Sequence, residues 1–446
     1  MLVVGGAQRT PVRGQSRNRL CRAADCAPGR GWAPGHEVPG NLGASYISFM
    51  RKPITDLIHH PYSPPARFAA PQPGVYKAST VFFADVAAMR ARDWRTKAGY
   101  TYGLHGTPTT FTLEERLATL EGGTECLLVP SGLAAISLVS LALLKSGDEV
   151  LIPDNAYGPN KALATGELAN FGIGHRLYDA MNPADLAAKL SERTKLVWVE
   201  AAGSVTMEFP DLPALVGACR QRGVITALDN TWGAGLAFAP FDFNGTGQGV
   251  DISVHALTKY PSGGGDVLMG SVVTRDERLH RALKLTHMRL GLGIGVGDVE
   301  TVLRSLPSLA LRYQAHDRSA RELARWLEGR AEIAQVLHPA LEGSPGHEHW
   351  LRLCGASDLA AGLFSVVFDA RYGTEQVDRF CDSLALFRLG YSWGGPVSLV
   401  VPYDIGLMRA PAVARWPHKG TLVRFSVGLE DVDDLRADLE QALAAL

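Results

Sequence analysis

The chain has 446 residues, of which 46% are hydrophobic and 20% charged, with a formal net charge of −1. That balance fits a globular chain long enough for two or three domains. It lacks the basic footprint of a nucleic-acid binder, and no apolar run reaches the length of a membrane helix. Six cysteines are scattered along the chain without a CxxC pair, which excludes a disulfide scaffold and a structural zinc site and fits reduced cytoplasmic thiols.

Residues 1–49 carry six arginines, eight glycines, two acids and no lysine, without hydrophobic periodicity. A targeting segment, a disordered tail and an extension upstream of a natural start at Met50 are the three readings. The last is the expectation taken here. From residue 111 the pattern becomes regular. Leu113, Leu117 and Leu120 mark a helix that stops at Gly122-Gly123. Strands are expected over 125–130, 149–154, 195–200, 224–229 and 252–257. Helices are expected from Ser131-Gly132 to Leu144, over 161–169 and over 212–222. The alternation predicts an α/β domain over 111–305 with a mainly parallel sheet and right-handed crossovers. Beyond it, a long helix from Val302 to Leu327, kinked at Pro307, leads into strand-like pieces at 363–368 and 422–427. A final amphipathic helix uses Leu435, Leu439, Leu443 and Leu446, so residues 306–446 read as a smaller α+β domain.

Asp229 ends one short apolar segment, and Lys259 follows another. Ligands bind outside the carboxyl ends of parallel strands. A lysine and an acid converging there suit pyridoxal 5'-phosphate (PLP): the lysine forms a Schiff base, and the acid keeps the pyridine nitrogen protonated. Either residue alone reads as surface or turn chemistry, so their neighbours matter. Gly132, at a helix start after a strand, offers backbone N–H groups to a phosphate, and Thr258 could add a hydroxyl. Tyr157, after the 149–154 strand, could stack on a flat ring. Gly291 to Gly297 follows a basic helical stretch rather than a strand and is a weak dinucleotide signal. His347-Glu-His349 lacks metal-ligand spacing, and His59-His60 reads as solvated.

Several runs occur together and in order: Tyr102-Gly-Leu-His-Gly-Thr-Pro108, Leu120-Glu-Gly-Gly123, Val129-Pro-Ser-Gly132, Gly203-Ser-Val-Thr-Met-Glu208, Asp229-Asn-Thr-Trp232, Thr258-Lys-Tyr260, His338-Pro-Ala-Leu341 and Gly428-Leu-Glu-Asp431. With them, residues 72–446 resemble the PLP enzymes of cysteine and methionine metabolism. Tyr391-Ser-Trp-Gly-Gly395 and Thr206-Met-Glu208 resemble the bacterial cystathionine β-lyases within that family. The resemblance implies the fold type I, aspartate-aminotransferase-like PLP fold. That fold has a mainly parallel seven-stranded sheet, a smaller α+β C-terminal domain and an arm over 50–110 that contacts a partner subunit.

The implied reaction is β-elimination of L-cystathionine to homocysteine, pyruvate and ammonia, in methionine biosynthesis. A broader cysteine-S-conjugate lyase, a γ-acting member and a non-catalytic PLP-binding homologue stay open. The implied roles are as follows. Lys259 forms the Schiff base and shuttles the Cα proton. Asp229 pairs with the ring nitrogen, and Tyr157 stacks on the ring. Gly132, Leu133 and Thr258 hold the phosphate. Arg424 clamps the substrate carboxylate beside Ser392 and Trp393. Tyr102 reaches a neighbouring subunit's site, which makes a homodimer or homotetramer with shared active sites the expected assembly. The expected partner is a small amino-acid thioether; no nucleic acid, membrane or metal is expected. Three departures from the family pattern stand out: Leu104 where an arginine is common, Ala256 where a serine is common, and Glu200-Ala-Ala202 in place of Glu-Ser-Pro. The first two remove donors, so weaker cofactor retention is expected.

Overall fold

The computed structural model describes residues 52–61, 67–68 and 70–446. The expectations for residues 1–49 and for a start at Met50 lie outside them.

The leucine-patterned helix runs Pro108–Glu121. Thr107 caps it by accepting from Thr110 N, and Pro108 supplies a preset φ at the first position. It ends at Gly122, whose φ of 72° is the left-handed geometry that glycine adopts without a Cβ penalty.

Seven strands follow: β1 Glu125–Val129, β2 Glu149–Pro153, β3 Gly174–Tyr178, β4 Thr194–Glu200, β5 Ile225–Asp229, β6 Ile252–Ala256 and β7 Gly270–Thr274. They form one sheet in the order β1-β7-β6-β5-β4-β2-β3. Only β7 runs against the rest, pairing antiparallel with both β1 and β6. The mainly parallel seven-stranded sheet is therefore as expected. Strands buried on both faces need apolar side chains throughout, and the five residues of β2 are all buried. One face is covered by the helix Gly132–Leu143, whose Ala135, Ile136, Leu138 and Val139 pack with Leu127, Val150 and Ile252. Each Val, Leu or Ile among them contributes about 1.5–3 kcal/mol when fully removed from water.

The helix expected over 161–169 starts earlier, as Gly158–Leu163, and continues in a π-helical turn at Ala164–Leu168. The expected long helix is two helices, Val296–Ser305 and Leu309–Glu328, joined by a 3-10 turn at Leu306–Ser308. Pro307 has no N–H for an α-helical bond, so the break falls there.

A second sheet contains β8 Ile333–Leu337, β9 Leu363–Phe368, β10 Arg388–Leu389, β11 Leu399–Tyr403 and β12 Leu422–Ser426, in the order β10-β11-β12-β9-β8. The helices Leu309–Glu328 and Val432–Leu443 pack with it around Phe364, Phe380 and Phe425. Leu435, Leu439 and Leu443 are buried there and Leu446 packs at the edge, as their spacing predicts. Both sheets belong to one compact unit. The second sheet docks beside the carboxyl end of the first through the loop after β4: Ser365 Oγ donates to Val205 O at 2.6 Å.

Candidate active site

Five strand ends of the first sheet supply the site. Gly132 follows β1, Tyr157 follows β2, Glu200 ends β4, Asp229 ends β5 and Lys259 follows β6. Parallel strands place their carboxyl ends along one edge, which is why residues far apart in sequence meet. They line a cavity of about 470 Å³ with Leu133, Thr258, Ser392, Trp393 and Arg424. Nine of the ten residues expected at the site therefore line one cavity. The tenth, Tyr102, lies in a separate cavity with Ser79, Leu104 and Lys284.

Lys259 Nζ donates to Ser392 Oγ at 2.8 Å and lies 5.4 Å from the centre of the Trp393 ring. Burial pulls its pKa down to about 8; the Arg424 charge adds to the effect and Asp229 opposes it. Ser392 has a φ of 108°, a strained conformation for a residue with a side chain.

Asp229 Oδ1 accepts from the Thr231 hydroxyl at 2.6 Å and from Thr231 N at 3.1 Å. Burial raises its pKa, while the Thr231 bonds, His255 and Lys259 pull the other way. Glu200 stands beside it in register on the neighbouring strand. Burial, then the Asp229 charge, push the Glu200 carboxyl well above the usual range. Glu200 Oε2 accepts from Tyr157 N at 2.9 Å, which fixes the backbone under the Tyr157 ring.

Arg424, on β12, is buried at 6% exposure. Its Nη1 donates to Ser204 O at 3.0 Å, and its guanidinium lies 5.3 Å from the Tyr403 ring centre. Among the described residues no carboxylate lies within ion-pair distance of it. A buried guanidinium without an anion is costly, and it lines the cavity, so it is set to receive one.

Sequence reasoning gave no role to Glu200, Thr231, Tyr403 or Met408. Thr231 carried a local signal, a hydroxyl two residues after an aspartate. Tyr403 ends β11 and Met408 ends the one-turn helix Ile405–Met408, and neither carried one. The discounted motifs are structural. Gly291 caps the helix Glu277–Leu290 with a φ of 66°, and His347 Nδ1 bonds Pro339 O at 2.9 Å. Among the described residues no group of His, Cys, Asp and Glu could hold a metal ion.

A family model described as Cys/Met metabolism PLP-dependent enzyme matches residues 54–444. The chain belongs to this family of PLP-dependent enzymes. It is 35% identical over 403 residues to a cystathionine β-lyase of Escherichia coli, covering 89% of this chain and 99% of that one. It is 37% identical over 403 residues to a cystathionine β-lyase of Bordetella avium, covering 88% and 98%. The structure resembles that of cystathionine γ-synthase from Xanthomonas oryzae in complex with aminoacrylate and cysteine. The TM-score is 0.78 and the identity 29%, with 89% of this chain and 98% of that one covered.

The cavity fits the family's cofactor. At its phosphate end, Gly132 and Leu133 occupy the first turn of a helix, where N–H groups have no partner within the helix. A Cβ on Gly132 would come 2.6 Å from the Ala256 Cβ, so only glycine permits this close packing. Asp229 also lines the cavity, with a carboxylate that would suit a ring nitrogen. The Thr258 hydroxyl already meets the Met269 backbone at 3.3–3.4 Å, long bonds that a phosphate oxygen could replace. Leu104 is absent from this cavity, and Ala256 presents only a methyl group to it. Of the residues expected to hold the phosphate, Gly132, Leu133 and Thr258 line this cavity, while Leu104 and Ala256 carry no side-chain donor.

Proposed function

We propose that the enzyme is a carbon–sulfur lyase that cleaves L-cystathionine by β-elimination to homocysteine, pyruvate and ammonia. The observation that carries the reading is the shared cavity of Lys259 and Arg424, a lysine with its pKa near 8 beside a buried guanidinium lacking an anion.

Arg424 binds the substrate α-carboxylate and orients the Cα–H bond toward Lys259. Lys259, whose lowered pKa makes its neutral amine accessible a little above pH 7, takes the Cα proton. Ser392 accepts from Nζ and holds it in place. Bound PLP supplies the electron sink for the pair left at Cα. Asp229 keeps a proton on the pyridine nitrogen, and Tyr157 covers the ring. Lys259 then returns a proton to the departing thiolate. Trp393 and Tyr403 limit water around these groups.

The arm favours an assembly as the working unit. Tyr102 sits outside its own chain's cavity, Phe82 is 93% exposed, and Tyr76 and Met89 of the same stretch of chain are exposed as well. We take a homodimer as the minimum and a homotetramer as the expected state, with Tyr102 completing a partner's site. A cytoplasmic location agrees with the free, buried thiols of Cys126, Cys219, Cys354 and Cys381. No helix among the described residues is long and apolar enough to cross a membrane.

The decisive assay offers L-cystathionine to purified holoenzyme. Pyruvate with homocysteine supports the reading. 2-Oxobutyrate with cysteine would assign γ-elimination, and no turnover of any thioether would favour a binding role.

A further inference from the structure

A second cluster of buried charge lies behind one wall of the cavity, and the proposed chemistry does not use it. Arg409 Nε pairs with Asp154 Oδ2, and its Nη1 pairs with Glu208 Oε2 at 2.9 Å. The side chains of Arg409 and Asp154 are 6% and 0% exposed. Ala410 N donates to Asp154 Oδ1 at 2.8 Å. Asn155 Nδ2 and Thr206 Oγ1 each donate to Glu208 Oε2 at 2.8 Å. Lys161 Nζ completes the set, donating to Met408 O at 2.7 Å and to Asp154 O at 2.6 Å.

These bonds grip Met408, Arg409 and Ala410 from two elements of the first sheet: the end of β2 with its following helix, and the loop after β4. Burying such ions costs several kcal/mol each, and an apolar replacement is often as stable, so stability alone is a weak reason for the cluster. Its geometric result is plain. The one-turn helix Ile405–Met408 is pinned so that Met408 lines the cavity with Tyr403, Tyr391 and Tyr157. The acidic and basic side chains lining that cavity are Glu200, Asp229, Lys259 and Arg424, and each already has a partner or a proposed role. The Tyr403–Met408 wall offers a phenol ring and a thioether and no carboxylate or cation. Tyr403 also lies on Arg424, so the wall begins where the substrate carboxylate is held.

We propose that Met408 is a specificity-determining residue that bounds the sulfur substituent of the substrate, and that Arg409 positions it. This rests on the β-elimination reading. A substrate fixed at Arg424 and Lys259 must send its substituent along the remaining lining, and a pinned Met408 sets the room available there. Methionine adapts its shape but not its position when its backbone is held on both sides.

The test compares kcat/KM for pyruvate release from S-benzyl-L-cysteine and S-methyl-L-cysteine by holoenzyme. Met408→Ala raises the benzyl-to-methyl ratio about tenfold or more, the scale on which an apolar pocket separates ligands differing by a few methylenes. Met408→Phe lowers the ratio, and Met408→Leu keeps it within about threefold, being nearly volume-conserving. Arg409→Met moves the ratio in the direction of Met408→Ala, with kcat on the methyl substrate changing less than KM. An unchanged ratio in both Met408→Ala and Met408→Phe overturns the proposal while leaving β-elimination intact. Absence of pyruvate from wild-type enzyme with both of these thioethers and with L-cystathionine overturns both.

Discussion

Lys259 Nζ and Ser392 Oγ, 2.8 Å apart, join the two sheets across the cavity. The lysine follows the last parallel strand of the first sheet, and the serine lies in the loop between β10 and β11 of the second. Ser392 keeps a φ of 108° in this position, so the contact is held by the structure on both sides.

Lys259→Ala abolishes pyruvate release and leaves the far-UV circular dichroism and oligomeric state unchanged. Borohydride reduction of wild-type holoenzyme followed by peptide mapping places the pyridoxyl group on Lys259. A label on another lysine refutes the assignment.

The lysine also links fold stability to pH in the cofactor-free protein. Its folded pKa of about 8 lies below the ordinary 10.5. Below pH 8 the ammonium is charged in both states and the fold bears the full cost, on the order of 3 kcal/mol. Above 10.5 the amine is neutral in both and the cost disappears. Lys259→Met therefore raises the melting temperature at pH 7, and the gain fades as pH climbs from 8 through 10.5. A gain independent of pH contradicts the burial cost assigned to Lys259.

Arg424→Ala lowers kcat/KM by about 100-fold or more, in line with the 2–5 kcal/mol lost when one partner of a buried charge pair is truncated. Arg424→Lys restores part of the affinity but not the two-pronged geometry. Steady-state kinetics on L-cystathionine check both, and an unaltered KM in the alanine variant removes Arg424 from carboxylate binding.

Cofactor retention follows the phosphate donors. Ala256→Ser adds a hydroxyl beside Gly132 and slows the loss of PLP on dialysis, read from the visible absorbance of the holoenzyme. Gly132→Ala hastens the loss, because its Cβ collides with Ala256. Equal rates in all three proteins contradict the cradle described here.

The sequence disclosed the site where chemistry follows strand ends. Asp229 and Lys259 each adjoin a short apolar run, and parallel strands oblige such residues to meet. Two strands of the same sheet were not legible. β3 is a half-buried edge strand reading Gly-His-Arg-Leu-Tyr, whose glycine and charges mask it. β7, Gly-Ser-Val-Val-Thr, is fully buried but begins with small residues. Its Gly270 lies against the Ser131 backbone, where a Cβ would come 2.4 Å from Ser131 O. Tyr403 and Met408 were invisible for another reason. Their positions come from partners 200 or more residues away, such as Asp154 and Glu208 for Arg409, and no local periodicity encodes those contacts.

The register of Glu200 beside Asp229 has a consequence for how the site tolerates salt and acid. Burial and the neighbouring Asp229 charge both push the Glu200 carboxyl up, and the pair is shielded from solvent ions by burial rather than by a counterion at the surface. Ionic strength should then leave the electronic character of the bound ring almost untouched, while Glu200→Gln, which keeps an acceptor for Tyr157 N–H, should leave the protein's optical spectrum close to that of the native enzyme.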